Sequence, residues 1–290
     1  MINLIIDDYK LQLFLFEKMG SRSIEDAIND KVGDHEWEGI ILRAIHRNSA
    51  SRPDGMEIEG GIFKYRKYDG RITESYLDED NQPYAIYWPK DYKRILVYRN
   101  AYHRVVSTFY HQLNARGKNK EGWSDEHGRG AWDVQYKELD ILPKSENLED
   151  HIKSFHNFCK LHFYSNSSNW VDGVFYGKTG HMAAIWEQIP KYLMKDVDEV
   201  ISLDDVNNNK LVEILEKYGV PNQKLEEFTK SLNKNKEYYS KQKSQMEDSD
   251  QHLRQTNNYE KFYDTMDNKI LTTITEFYKT DLELTGVKPL

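Results

Sequence analysis

The sequence has a single cysteine and no long apolar run. Cys159 stands alone among the 290 residues, so no disulfide can form within the chain, and a reducing compartment suits it best. The N-terminal MINLIIDDYK has no basic segment followed by an apolar core. No stretch approaches the roughly 18 uninterrupted apolar residues of a membrane span. These absences predict a cytoplasmic protein without a membrane partner.

An excess of positive charge is also lacking. The 40 Lys and Arg are outnumbered by 48 Asp and Glu, and the net charge is −8. This argues against a nucleic-acid partner, because such proteins act through positive fields. A small anionic ligand stays compatible, since a few local cations and a helix N-terminus suffice for its site. There is no HExxH motif, cysteine pair or Asp-rich loop of ligand spacing, so we predict no metal site.

Aromatic residues, in contrast, are plentiful. They form 13% of the chain and include 20 Tyr, which favours a folded globular protein although 30% of the residues are charged. A length of 290 residues is enough for one large core. We predict a single domain over residues 1–290, with a polar, partly ordered segment at 222–258.

Short apolar runs alternate with helical patterns along the chain. Buried strands are predicted at Leu11–Phe16 (LQLFLF) and Lys93–Tyr98 (KRILVY), each followed by a helix. Residues 61–88 contain strand patterns around Asp69-Gly70, a hairpin signal, and predict an antiparallel meander beside the main sheet. The predicted fold is therefore α/β, with a mostly parallel central sheet flanked by helices and this meander inserted.

The first candidate site is the segment Lys18–Ser23, between the first strand and its helix. A strand, a glycine-containing turn and a helix are typical of a phosphate site. Gly20 permits the tight turn, and the helix start supplies backbone N–H groups and the positive end of its dipole. Lys18 can place an ammonium over a transferring group. By itself the segment fits an ordinary connection with a Ser N-cap equally well.

The second candidate site is RNAYHRVVS, which follows KRILVY. Arg99 leaves the end of the strand, and Ser107 lies about two turns into the following helix. An arginine fork and a hydroxyl held on rigid elements suit a phosphate monoester. Taken alone, such a pair is more often an exposed arginine and an ordinary helix serine.

Together the two sites resemble the motifs of the sulfotransferases that use 3′-phosphoadenosine 5′-phosphosulfate (PAPS), especially the carbohydrate sulfotransferase branch. EKMGSRS is similar to the family's 5′-phosphosulfate loop, Pro-Lys-x-Gly-Ser-Thr-Ser, and RNAYHRVVS to its 3′-phosphate motif, Arg-Asp-Pro-x-x-Arg-x-x-Ser. Weaker similarity continues in SFHNFCK, HMAAIWEQIPKYL, DEVISLDDV and ITEFYKTDLEL. Four residues depart from the motifs without removing a phosphate-binding group, namely Glu17, Arg22, Asn100 and Ala101.

The resemblance implies a P-loop-like sulfotransferase fold and transfer of sulfonate from PAPS to an acceptor hydroxyl, with adenosine 3′,5′-bisphosphate as product. Carried over by position, Lys18 contacts the bridging oxygen and the sulfonate, while Arg99 and Ser107 hold the 3′-phosphate. Arg104 matches the motif too, and a structural role is open for it beside a ligand-binding one. The residues implied to hold the 5′-phosphosulfate are Gly20, Ser21, Arg22 and Ser23.

Sulfonate transfer also needs a base that takes the proton of the acceptor hydroxyl. The resemblance implies a His or an acidic residue between the two phosphate motifs. His46 is the first candidate, because it ends a predicted strand at 38–46 and strand ends face the ligand in α/β sheets. Glu74 and His35 are further candidates in that interval, and His181 is a downstream one.

The implied acceptor partner is a glycan or small glycoside. Sugars are bound by aromatic platforms flanked by polar groups, and aromatic residues crowd the predicted meander. The same aromatics could simply pack the sheet, because Tyr and Trp favour strands. The residues concerned are Tyr65, Tyr68, Tyr76, Tyr84, Tyr87 and Trp88.

Two other function classes stay open. The first is a P-loop kinase or another phosphoryl transferase, for which GVFYGKT at 173–179 is suggestive. This segment has three residues between its glycines where the Walker A motif needs four. The second is a non-catalytic nucleotide- or glycan-binding module. Lys18 argues against that class, because binding alone would tolerate other cations at its position.

Overall fold

The protein is described here by a computed structural model. The chain divides into two compact units, the first formed by Met1–Arg99 and Ile185–Met246 and the second by Asn100–Ala184 and Glu247–Leu290. The prediction of a single domain over 1–290 stays a prediction. The structure describes residues 2–15, 21–29, 56–58, 62–69, 91–117, 139–141, 147–163, 169–171, 174–176, 182, 184–187, 189, 191–207, 209–244 and 259–290.

Strands and helices are distributed over both units. The strands are β1 (Ile2–Ile6), β2 (Leu11–Leu15), β3 (Met56–Ile58), β4 (Tyr65–Asp69), β5 (Lys93–Tyr98), β6 (Asn169–Val171), β7 (Val174–Tyr176) and β8 (Glu199–Ser202). The helices are α1 (Ser21–Asn29), α2 (Ala101–Gly117), α3 (Leu148–Phe163), α4 (Lys191–Met194), α5 (Leu203–Asn207), α6 (Lys210–Lys217), α7 (Asn222–Ser244), α8 (Asn268–Phe277) and α9 (Lys279–Thr285).

A six-stranded sheet in the order β3-β4-β1-β2-β5-β8 forms the centre of the first unit. β5 is parallel to its neighbours β2 and β8. The other pairs, β1 with β2, β1 with β4 and β3 with β4, are antiparallel. The α/β class is confirmed, but the sheet is mixed rather than mostly parallel. The reason is a tight turn at Asp7–Tyr9, where Lys10 adopts a left-handed φ of 50° and reverses the chain between β1 and β2.

β4 is the described strand of the predicted meander at 61–88. It pairs with β1 and β3 inside the main sheet, whereas the prediction placed the meander beside that sheet. β1 has unpaired backbone groups on the side away from β2, and β4 satisfies them. The hairpin turn at Gly70 and residues 71–90 lie outside the described residues.

The core of the first unit lies between the sheet and its helices. Leu4, Leu13 and Ile95 are in register on one sheet face and belong to one buried cluster with Ile24 of α1 and Phe228 of α7. All of β2 is buried, as the apolar run LQLFLF predicted. KRILVY likewise forms β5 as predicted. Helices thus cover this face, and both parallel neighbours of β5 are anchored in the core.

Most of the polar segment 222–258 is helical. α7 places Leu225, Phe228 and Leu232 on one buried stripe, with the three- and four-residue spacing of an amphipathic helix. The polar residues between them lie mostly on the solvent side. Residues 245–258 are not among the described ones.

Helices of the second unit pack around an aromatic core. Phe109 of α2 contacts Phe155 and Phe158 of α3, and Phe155 also packs on Phe262 at a centroid distance of 5.3 Å. Cys159 is buried beside them, and burial raises the pKa of its thiol well above the usual range. The lone cysteine is therefore a packing residue.

The GVFYGKT segment begins as a strand of a hairpin. Val174–Tyr176 form β7, which pairs antiparallel with β6 in a separate two-stranded sheet. A Walker A loop instead follows a central parallel strand and leads into a helix. The described part of this segment thus gives no support to a P-loop at that position.

Candidate functional site

Both predicted phosphate motifs follow strands that are parallel neighbours. β2 and β5 run side by side with Leu15 opposite Val97, so their carboxyl ends lie at the same edge of the sheet. Arg99 comes directly after β5, and the segment with Lys18 comes directly after β2. Ligands of open α/β sheets bind outside the carboxyl ends of the strands. The two motifs therefore start from adjacent points of the edge where such a ligand is expected.

Arg99 is a half-buried cation at this edge. Burial lowers the pKa of its guanidinium to about 10, and the nearby carboxylate of Asp204 partly offsets this effect. The group is thus still protonated at neutral pH, in surroundings where a charge-assisted hydrogen bond is stronger than in water. It is suited to an anionic oxygen.

Asp204 reaches this place because β8 is the parallel neighbour of β5 and α5 starts directly after β8. Ser202 and Asp205 form the start of that helix. The hydroxyl and N–H of Ser202 donate to Asp205 Oδ2, and the N–H of Asp205 donates back to Ser202 Oγ at 3.0 Å. This reciprocal cap holds the turn in place. Sequence reasoning missed Asp204, although the Ser-x-x-Asp cap after an apolar strand was a usable signal.

The last residues of the first motif, EKMGSRS, form the N-terminus of α1. This helix has nine residues and begins at Ser21, so the backbone N–H groups of Ser21, Arg22 and Ser23 belong to its first turn. N–H groups at this position have no acceptor within the helix and carry its positive dipole end. No acidic residue occupies the first turn of α1 to balance that charge. Lys18 and Gly20 lie outside the described residues.

The second motif continues into the second unit, where Asn100 caps α2. Its side-chain oxygen accepts a hydrogen bond from the N–H of Tyr102 at 2.9 Å, and its amide donates to the hydroxyl of Tyr259 at 2.7 Å. Ala101 is the first helical residue. The sulfotransferase motif has Asp and Pro at these two positions, and both pairs are good helix starters. These departures therefore fall on residues that start a helix.

Arg104 and Ser107 lie further along α2. Ser107 is half-buried, and Arg104 is buried with 1% of its side chain exposed. The guanidinium of Arg104 lies 3.6 Å from Asp281 and 5.2 Å from the ring centre of Tyr278. These contacts fit the structural role that the sequence left open for Arg104. Arg99 belongs to the first unit and Ser107 to the second.

The candidate bases are not in the described part of the chain. His46, Glu74 and His35, as well as His181, all fall outside it, so their assignment stays a prediction. Within the described ranges, no group of three or more His, Cys, Asp or Glu side chains could hold a metal ion. None of the helices in those ranges is long and apolar enough to cross a membrane.

Comparisons of the chain with protein-family models, with curated proteins and with solved structures found no match. The resemblance to sulfotransferases therefore depends on the two motifs and on the strands that carry them.

Proposed function

We propose that this chain is a sulfotransferase that moves a sulfonate group from PAPS to an acceptor hydroxyl. The acceptor that we propose is a carbohydrate. The observation that carries the proposal is the position of the two motifs after β2 and β5. PAPS has two anionic ends, the 3′-phosphate and the 5′-phosphosulfate, which need two separate anion sites. Neighbouring strands are about 4.8 Å apart, so motifs that leave adjacent strands suit the two ends of one nucleotide.

Each end of the donor has a candidate partner in this arrangement. The 3′-phosphate is assigned to Arg99, the last residue of the first unit. The 5′-phosphosulfate is assigned to the N-terminus of α1, whose first turn carries Ser21, Arg22 and Ser23. Lys18 lies three residues before Ser21, where that turn begins. Its ammonium is the cation that we assign to the 5′-phosphosulfate.

The proposed reaction is an in-line displacement at sulfur. The acceptor oxygen attacks the sulfur, the bond from sulfur to the bridging oxygen breaks, and its electron pair stays on the 5′-phosphate. Lys18 stabilises the charge that builds on this leaving group. The acceptor proton passes to the base, for which His46, Glu74 and His35 are the candidates.

The test is a comparison of nucleotides by calorimetry. We expect the wild-type protein to bind adenosine 3′,5′-bisphosphate at least tenfold more tightly than ADP or ATP, because a charge-assisted hydrogen bond to the 3′-phosphate contributes about 1.5–3 kcal/mol. Tighter binding of ATP or ADP would contradict the proposal and favour a phosphoryl transferase. Tight bisphosphate binding without sulfonate transfer to any acceptor would identify a binding module instead.

A further inference from the structure

Two polar side chains are buried on the stripe of α7 that faces the core. Ser231 and Asn235 have no exposed surface, and they lie one helical turn apart on the same side. Neither Ser231 Oγ nor the amide oxygen and nitrogen of Asn235 has a hydrogen-bond partner among the described residues. Buried polar groups of proteins are nearly always hydrogen-bonded, so this pair calls for a polar group that the described chain does not supply.

The direction of α7 relative to α1 shows where the pair lies. The N–H of Ile62 donates to the carbonyl of Ile28, near the end of α1. Lys224, near the start of α7, donates to the carbonyl of Ile62 at 2.9 Å, and Phe228 packs on Phe63. The end of α1 and the start of α7 thus meet at residues 62–63.

From that point the two helices run past each other in opposite directions. Leu232 lies one turn after Phe228 in α7, and Ile24 lies one turn before Ile28 in α1. Both belong to the same buried core. With a rise of about 1.5 Å per residue, Asn235 lies about 10 Å beyond Phe228, and Ser21 lies about 10 Å before Ile28. Asn235 is therefore level with the first turn of α1, and Ser231 lies one turn below it.

The described donors at this level and one turn below it suit an anion. The first turn of α1 offers backbone N–H groups and a positive dipole end, with no acidic residue in that turn. Asn235 can add an amide donor, and Ser231 a hydroxyl donor. All these donors are electrically neutral. They bind anionic oxygens through directed hydrogen bonds rather than through net charge.

We propose that Ser231 and Asn235 complete the anion site at the N-terminus of α1 and hydrogen-bond to oxygens of the donor's 5′-phosphosulfate. The identity of the anion rests on the proposed function. The placement of the two side chains does not, because it follows from the packing of α7 on α1. The buried polar pair thereby makes α7 one wall of the nucleotide site.

A packing role and a binding role of Asn235 make different predictions for the nucleotide affinity of a variant, but the same prediction for its stability. Replacing a buried, unsatisfied amide by leucine removes its desolvation cost, so Asn235→Leu stabilises the unliganded protein in either case. Only the binding role couples this gain to a loss of affinity. Asn233 is a matched control, because it is an exposed asparagine two residues away on the same helix.

The experiment measures the affinities for adenosine 3′,5′-bisphosphate and adenosine 3′-monophosphate by calorimetry. For Asn235→Leu we expect about a tenfold or greater loss with the bisphosphate and little change with the 3′-monophosphate, which lacks the 5′ anion. Asn233→Leu is expected to bind both as the wild type does. Ser231→Ala is the gentler second variant, with a smaller loss in the same pattern, and it keeps the test decisive if Asn235→Leu does not fold.

The outcomes separate this inference from the proposed function. If the wild type prefers the bisphosphate and neither variant weakens its binding, the inference is overturned and the proposed function stands. Equal losses with both nucleotides overturn it as well, because the effect then lies away from the 5′ end. If the wild type shows no preference for the bisphosphate, the proposed function fails. Sulfate then serves as the probe, and thermal stabilisation by sulfate that Asn235→Leu abolishes still supports the anion site, whereas unchanged stabilisation overturns it.

Discussion

Arg99 is the residue on which the proposed 3′-phosphate site depends most. Its desolvated guanidinium is expected to form a charge-assisted bond worth about 1.5–3 kcal/mol, so Arg99→Ala weakens adenosine 3′,5′-bisphosphate binding tenfold or more. Lys93→Ala is the control, because Lys93 is exposed at the opposite end of the same strand and pairs with Asp198 there. Calorimetry on both folded variants checks this, and unchanged affinity in Arg99→Ala contradicts the assignment.

Lys18 is expected to act mainly in the transition state, as charge builds on the leaving phosphate. Lys18→Ala should therefore depress turnover much more than it weakens binding of the product nucleotide. Single-turnover rates with PAPS and calorimetric affinities for adenosine 3′,5′-bisphosphate provide the two numbers. Equal losses in both would make Lys18 a binding residue without a special role in catalysis.

Arg104 is expected to matter for stability rather than for the nucleotide. Arg104→Met leaves the buried carboxylate of Asp281 without its guanidinium, which costs about 3–5 kcal/mol of unfolding free energy. The double variant Arg104→Met with Asp281→Leu should recover much of that loss, because no uncompensated charge stays buried. Urea denaturation measures both variants. A loss of nucleotide affinity at unchanged stability would instead show that Arg104 binds the ligand.

At the scale of a single element, the start of β8 carries two carboxylates that are stabilised in their charged form. Burial raises the pKa of Asp198, but hydrogen bonds from Lys93 and from the backbone N–H of Arg94 outweigh it, and the net pKa is lowered. A hydrogen bond from Lys217 lowers the pKa of Glu199. These contacts tie the β8 edge to β5 and α6.

This edge predicts a loss of stability in acid. The folded-state pKa values lie below the ordinary values of about 3.9 for Asp and 4.3 for Glu, so the stabilisation is complete above those values. It disappears as the pH falls through the lowered folded-state values. Thermal denaturation between pH 7 and pH 3 is expected to show a steeper decline for the wild type than for Glu199→Gln. Parallel curves for the two proteins would contradict this role of Glu199.

The local sequence determined the bounds of several individual elements. The apolar runs of β2 and β5 were predicted within a residue, because a central strand of an α/β sheet needs apolar residues on both faces. The start of α2 after Arg99 was predicted as well, and Asn100 supplies its cap. Such features depend on residues that are close in sequence, and single-sequence patterns record them.

At the scale of the whole molecule, the acceptor class is the prediction to test. We expect transfer of labelled sulfonate from PAPS to oligosaccharides or small glycosides, because the sequence motifs resemble those of the carbohydrate branch and the segment 62–88 combines aromatic with polar residues. A phenolic acceptor would need a closed apolar pocket. The assay uses parallel panels of glycans and simple phenols. Transfer to phenols alone would defeat the acceptor assignment and leave the donor assignment standing.

The sequence by itself determined the α/β class, the two central strands and the residue types available for an anion. Only the tertiary structure decided that β1 makes the sheet mixed and that the carboxylate of Asp204 lies near enough to Arg99 to affect its pKa. It alone packed α7, which carries the buried Asn235, against α1. The physical reason is that strand order and helix packing are set by contacts between distant segments. A pattern of neighbouring residues specifies each element's shape and apolar face, but not the element that it will meet.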